Sequence, residues 1–175
     1  MLIIGITGKK RHGKDTVSDY LVEKYGFKKY VLADILKRAL KEMFSLTDDQ
    51  LWGNKKEVKD KFWNYSPREL MQIVGTNLIR DQFDKDFFVK SLRKKILEES
   101  FERVIVSDIR FLNEVKMIED LGGIVYRVKR NSIKNEDSHC SENDLDNKEF
   151  ITIQNNTSLN ELYNKIDIIM NKYVN

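Results

Sequence analysis

Leu2-Ile3-Ile4-Gly5-Ile6-Thr7-Gly8-Lys9-Lys10-Arg11-His12-Gly13-Lys14-Asp15-Thr16 decides the reading of this chain. An apolar run passes into a loop where Gly8, four residues and then Gly13-Lys14 have the spacing of a phosphate-binding loop. The chemistry depends on that order. Small residues let the backbone wrap closely, so successive N–H groups point at an anion. A helix opening at Gly13 adds the positive end of its dipole. Lys14 then bridges the β- and γ-phosphates as a point charge. A glycine-punctuated turn with surface lysines would leave the strand before and the helix after unexplained. Asp15 stands where a Ser or Thr ordinarily serves Mg²⁺, and Thr16 follows it.

Beyond the loop, short apolar runs alternate with helical patterns. Strands are expected at Leu2–Thr7, Lys29–Leu32, Arg103–Ser107, Ile124–Lys129 and Phe150–Gln154. Helices are expected at Gly13–Lys24, Asp34–Phe44, Pro67–Gln82, Lys85–Ser100, Asn113–Leu121 and Ser158–Lys172. Ser66-Pro67-Arg68-Glu69 is a start signal, with Ser at the cap, Pro at the first helical position and Glu three residues after the cap. Gly122-Gly123 stops the fifth helix. Strands alternating with helices imply an α/β fold with a parallel sheet covered on both faces. Residues 45–65 and 131–148 fit that pattern poorly. The first is lysine-rich and carries Trp52, Phe62, Trp63 and Tyr65, and the second is polar and acidic. Long segments of this kind in a compact domain are usually functional or mobile.

The bulk properties exclude several classes. The chain has 175 residues and a formal net charge of +3. That suits one domain, residues 1–175, and with no basic arm it argues against nucleic-acid binding. A single cysteine, Cys140, excludes an intramolecular disulfide framework and suggests a cytoplasmic setting. His12, His139 and Cys140 are too few for a structural zinc site. No apolar stretch approaches the roughly 20 residues of a membrane span.

Other residues join the loop. Val104-Ile105-Val106-Ser107 ends in Asp108, followed by Ile109-Arg110. An acid at the end of a strand beside a phosphate loop can hold Mg²⁺, and Arg110 next to it can clamp a phosphate; the alternative is that Asp108 only caps a turn. Arg127, Lys129 and Arg130 end the fourth strand, on the side where open parallel sheets bind ligands. A lid over residues 128–145, entered through Arg130, would bring cations to the transferring group and exclude water. Lys37, Arg68 and Arg80, taken singly, read as surface charges. His139 next to Cys140 lacks an orienting partner and does not read as a nucleophilic pair. Trp52 and Phe62 read as anchors of their segment. Trp63 and Tyr65, just before the Ser66 block, read as contacts for a base or sugar.

Five blocks resemble the phage-type deoxynucleoside monophosphate kinases: Gly8–Thr16, Leu32–Lys37, Ser66–Thr76, Ser107–Phe111 and Asp137–Glu142. They run in the family's order over nearly the whole chain, and Gly-Lys-Asp-Thr is the family's form of the loop. The resemblance implies a nucleoside-monophosphate-kinase-like three-layer sandwich built on a five-stranded parallel sheet. It implies transfer of the ATP γ-phosphate to a deoxynucleoside monophosphate, with Mg²⁺, often in a homodimer. Arg11, Gly13, Lys14, Asp15, Thr16 and Arg130 would bind ATP, and Asp15, Thr16 and Asp108 would serve the metal. Lys10, Leu36, Lys37, Tyr65, Arg68, Gln72 and Arg110 would bind the acceptor, within a region of about residues 33–82. Lys14, Arg110 and Arg130 would be the catalytic cations. The rival readings are a kinase of dephospho-coenzyme A or phosphomevalonate with the same fold, and a nucleotide-binding switch without catalysis.

Overall fold

A computed structural model describes residues 1–131 and 144–174 of the chain. The fold forms two compact units, Met1–Val31 with Arg93–Asn175, and Leu32–Leu92.

The first unit carries five parallel strands in the order β2-β3-β1-β4-β5: β1 Leu2–Thr7, β2 Lys28–Val31, β3 Arg103–Ile109, β4 Ile124–Lys129 and β5 Ile151–Gln154. Side chains alternate across a strand, and the sheet uses both faces. Ile4 and Ile6 of β1 join Val17 and Leu21 of helix α1 (Lys14–Tyr25) in one cluster. Leu162, Ile166 and Met170 of the last helix (Leu159–Met170) complete that cluster. The opposite side of the pleat meets Ile118 of the helix Leu112–Asp120, which packs on β1 and β4. Helices on both faces explain why β1 and β3 are apolar nearly throughout. Gly26, at φ 69°, turns the chain out of α1, and its N–H donates to the Val22 carbonyl at 3.1 Å.

The second unit is helical: α2 Leu32–Phe44, α3 Asp48–Leu51, α4 Pro67–Gln72 and the start of α5, Phe87–Glu99. The remaining helices are then α6, Leu112–Asp120, and α7, Leu159–Met170. Ser66 caps α4 as expected: its hydroxyl accepts from the Glu69 N–H at 3.2 Å, and its own N–H donates to Glu69 at 2.7 Å. Leu36 of α2 closes on Gly75, where a β-carbon would lie 2.4 Å from a Leu36 methyl. Among the described residues no helix is long and apolar enough to cross a membrane.

Four expectations are corrected. The expected helix Pro67–Gln82 is α-helical only to Gln72 and then π-helical over Ile73–Phe83. Ile73, Val74, Thr76 and Ile79 are β-branched and surround Gly75, so this stretch has weak α preference. The third strand runs to Ile109, not Ser107, because the buried Thr7 hydroxyl donates to the Ile109 carbonyl at 2.7 Å and holds it on β1. Strand β2 ends at Val31, opposite Ser107, and α2 begins at once with Leu32. The polar segment 45–65 contains α3, whose Thr47 and Gln50 form a capping box.

Candidate active site

The phosphate loop is shaped by backbone that only glycine enters easily. Gly8 lies at φ 143° and Gly13 at φ 98°. A β-carbon on Gly8 would sit 2.3 Å from the Val128 carbonyl oxygen, and one on Gly13 would sit 2.3 Å from Nδ2 of Asn155. Arg11 between them also has positive φ, 65°. Asn155, just past β5, props the loop by donating to the His12 carbonyl at 2.9 Å.

Lys14 is held inside the loop. It is 8% exposed, and Nζ donates to the carbonyls of Gly8 at 2.8 Å and Lys9 at 3.1 Å. The same ammonium lies 3.2 Å from an Asp108 carboxylate oxygen. The other Asp108 oxygen takes Nε of Arg110 at 3.0 Å and a terminal nitrogen of Arg110 at 2.9 Å. Asp108 thus sits between two cations. Burial pushes its carboxyl up, but Arg110 and then Lys14 outweigh this and hold it below the usual carboxylate range.

The backbone at Asp108 is left-handed, as it is at Arg11, Ser45, Asn64 and Ser100. Gly5 pairs with Val106 but Thr7 pairs with Ile109, so β3 bulges between them, and Asp108 adopts φ 62°. A bulge re-aims a side chain, and Asp is among the few non-glycine residues that adopt left-handed backbone readily. Arg110 is fixed from behind. Glu114, buried in the first turn of α6, accepts the backbone N–H of Arg110 at 2.8 Å and of Phe111 at 3.2 Å.

A cavity of about 230 Å³ opens at the carboxyl ends of β1, β3 and β4, lined by Gly8, Lys9, Arg110, Arg127 and Lys129 among others. Lys9 pairs with Asp146 at 2.7 Å, and Arg127 donates to the Leu145 carbonyl. Arg130 is exposed just beyond β4. The expected lid over 128–145 has its middle, residues 132–143, outside the described residues, and with it His139, Cys140 and the Asp137–Glu142 block.

The structure therefore brings Lys14, Asp108 and Arg110 together, with Gly13 in the loop they border. It does not bring Asp15 to them. That carboxylate is 85% exposed and lies 3.5 Å from Lys29. Thr16 is partly buried in the first turn of α1, and Lys10 and Arg11 are exposed on the loop. Leu36, Lys37, Tyr65, Arg68 and Gln72 all belong to the second unit. There Leu36 is core, Gln72 is half-buried and Tyr65 is exposed. Lys37 lies 3.8 Å from Asp34, and Nε of Arg68 donates to Glu57. Among the described residues no cluster of three or more His, Cys, Asp or Glu could hold a metal on its own. A partial oxygen shell suits Mg²⁺, which is usually held by one or two carboxylates, waters and substrate phosphates. Asp108 and the Thr16 hydroxyl fit that donor chemistry. Sequence reading missed Asn155 and Glu114. For Glu114 a signal exists, since it stands three residues after Phe111 at the position that folds back onto a helix start.

Comparison with known proteins identifies the family. The family model for deoxynucleotide monophosphate kinase matches residues 2–62 and 50–166. A protein of Acanthamoeba polyphaga mimivirus named "Putative deoxynucleotide monophosphate kinase" is 35% identical over 95% of this chain and 94% of its own length. The deoxynucleotide monophosphate kinase of Enterobacteria phage T4 is 26% identical over 95% of this chain and 97% of its own. A dephospho-CoA kinase of Fusobacterium nucleatum is 29% identical over 95% and 96%. In fold alone, the crystal structure of TT1252 from Thermus thermophilus is similar, with a TM-score of 0.59 and 19% identity over 99% of this chain and 98% of that one. The chain is a phosphotransferase and belongs to the deoxynucleotide monophosphate kinase family.

Proposed function

We propose that this enzyme transfers the γ-phosphoryl group of ATP to the 5′-phosphate of a deoxynucleoside monophosphate, yielding the diphosphate. The observation that carries the reading is Asp108 at the bulge of β3, held between Lys14 of the phosphate loop and Arg110. The acceptor oxygen is already ionised near neutral pH, so a strong general base is not required. Catalysis is then alignment of two nucleotides and neutralisation of charge on the transferring group.

Gly13, Lys14, Thr16 and Arg11 bind the donor phosphates, with Arg130 approaching from the lid. Lys14 leaves the Gly8 and Lys9 carbonyls for the donor, and Arg110 supplies charge to the transferring phosphoryl group. Asp108 and Thr16 are the residues we assign to Mg²⁺, which when bound offsets charge on the phosphate oxygens. Asp15, turned toward Lys29, acts from the first turn of α1. The acceptor roles are assigned to Lys10 of the loop and, in the second unit, to Leu36, Lys37, Tyr65, Arg68 and Gln72, with Arg68 giving up Glu57 for the acceptor phosphate. A cytoplasmic setting and a homodimer belong to the same proposal.

Acceptor profiling tests it. Transfer from γ-labelled ATP is measured to a panel of deoxy- and ribonucleoside monophosphates and to dephospho-coenzyme A. Transfer to at least one deoxynucleoside monophosphate is expected. Transfer to dephospho-coenzyme A alone would replace the acceptor and keep the fold reading. ATP binding without transfer to any acceptor would favour a nucleotide-binding switch.

A further inference from the structure

Lys37 stands on α2 next to the core residue Leu36, and its side chain is only 14% exposed. A lysine usually keeps its ammonium in water and lets only its stem lie along apolar surface. Two groups stand against this one. Asp34, one turn earlier, has a carboxylate oxygen 3.8 Å from the Lys37 ammonium. That same oxygen accepts the indole N–H of Trp52 at 2.9 Å. The indole so fixed lies with its centroid 5.6 Å from the Lys37 ammonium. One carboxylate thus holds both a cation and the aromatic ring that covers it.

The other tryptophan is used differently. Trp63 donates its N–H to the Phe44 carbonyl at 2.9 Å and packs edge-on against Phe44 and Phe62 at 5.0 and 4.9 Å. Those contacts tie the segment 45–65 to the end of α2. Trp52 also ties α3 to α2, but it does so through an acid that faces a lysine.

We infer that Asp34 and Trp52 are positioning residues for Lys37, holding its ammonium ready for the acceptor nucleotide. The inference rests on the reading of Lys37 as an acceptor contact. An ammonium on a four-carbon stem loses much rotamer freedom when it grips an anion, and the covering indole removes those rotamers beforehand. The indole also keeps water from the ammonium while its ring attracts the cation, so the charge acts through a less polar medium.

A double-mutant cycle on the full chain tests this, with KM measured for ATP and for the deoxynucleoside monophosphate turned over fastest. Lys37→Met is expected to raise the acceptor KM about tenfold or more and to leave the ATP KM within about twofold. Trp52→Ala and Asp34→Asn are each expected to raise the acceptor KM by about fivefold, again sparing ATP. Added to Lys37→Met, either change should cost less than about twofold more, because its route to the substrate is already gone. Trp52→Phe keeps a covering ring without the N–H and should restore the acceptor KM to within about threefold of wild type. Multiplicative losses in the double mutants would overturn the inference. So would equal losses for ATP and acceptor, or a Trp52→Ala enzyme with unchanged acceptor KM. If Trp52→Ala fails to fold, Trp52→Phe alone and combined with Lys37→Met carries the same test. An unchanged acceptor KM in Lys37→Met would instead remove the role of Lys37, and the inference with it.

Discussion

Asp108 and Asp167 have side chains equally exposed, at 26%, and each grips a lysine. Burial raises the carboxyl of each, and the charged and hydrogen-bonding partners of each outweigh it and hold it below the usual range. Asp167 on α7 accepts from Lys24 at 2.8 Å, Tyr25 at 2.7 Å and Tyr20 at 2.9 Å on α1, while Tyr20 stacks on Tyr163 at 3.9 Å. Yet Asp167 stands within a regular helix, whereas Asp108 adopts φ 62° at a bulge that opens beside the phosphate loop. A perturbed carboxyl by itself therefore does not mark a reaction centre, since a packing network perturbs it as well. What separates the two is place: Asp108 stands at a bulge between Lys14 and Arg110 beside the phosphate loop, whereas Asp167 lies within a helix.

The largest effect expected from breaking this contrast is at Lys14. Lys14→Ala should lower kcat by about 10²–10³, the range for one transition-state charge contact. It should also lower Tm, because the buried ammonium holds the Gly8 and Lys9 carbonyls and Asp108 together. Near-normal turnover in a folded Lys14→Ala enzyme would remove the phosphate loop from the reaction.

On the other side of the contrast, Asp167→Asn should cost about 1–2 kcal/mol of stability, a fall in Tm of roughly 2–8 °C, with kcat within about twofold of wild type. Its pH dependence has a definite sign. The folded-state pKa is depressed, so the stabilisation is complete above the ordinary carboxylate range and is lost as pH falls through the lower folded value. The Tm gap between wild type and mutant should be full at neutral pH and close in acid. A gap that widened in acid would contradict the assignment of the ion to Lys24 and the tyrosines.

The smallest effect concerns a third carboxylate. Glu57 accepts from Arg68 on the surface of the second unit, and exposed pairs of this kind are worth about 0–1 kcal/mol. Glu57→Gln should lower the acceptor KM by at most about fivefold, since Arg68 no longer has to leave a carboxylate for a phosphate. A rise in acceptor KM, measured by steady-state kinetics, would mean that Glu57 aims Arg68 rather than competing for it.

Which of these features could be read beforehand follows from how local each one is. The loop from Gly8 to Thr16, the cap at Ser66 and the β/α alternation are encoded within a few residues, and the structure has them where the sequence puts them. The bulge at Asp108 is not local. It depends on Thr7, about a hundred positions earlier, holding the Ile109 carbonyl, so the acid expected just past the strand lies inside it. Asn155 under Gly13 and the tyrosines around Asp167 likewise come together only when β5 and α7 pack on the loop and α1. The change from α to π after Gln72 hides in a helical pattern that both geometries satisfy. The burial of Lys14 is not local either. A motif shows that a lysine can reach a phosphate, but not which carbonyls hold it beforehand.

The most direct test of the account is γ-phosphate transfer from ATP to a deoxynucleoside monophosphate by Asp108→Asn and Asp167→Asn, assayed side by side at a temperature where both are folded. Asp108→Asn should lose about 10²-fold or more in kcat, with the loss deepest at limiting Mg²⁺, while Asp167→Asn stays within about twofold of wild type. Equal rates in the two mutants, or a Mg²⁺ dependence in Asp108→Asn identical to wild type, would contradict it.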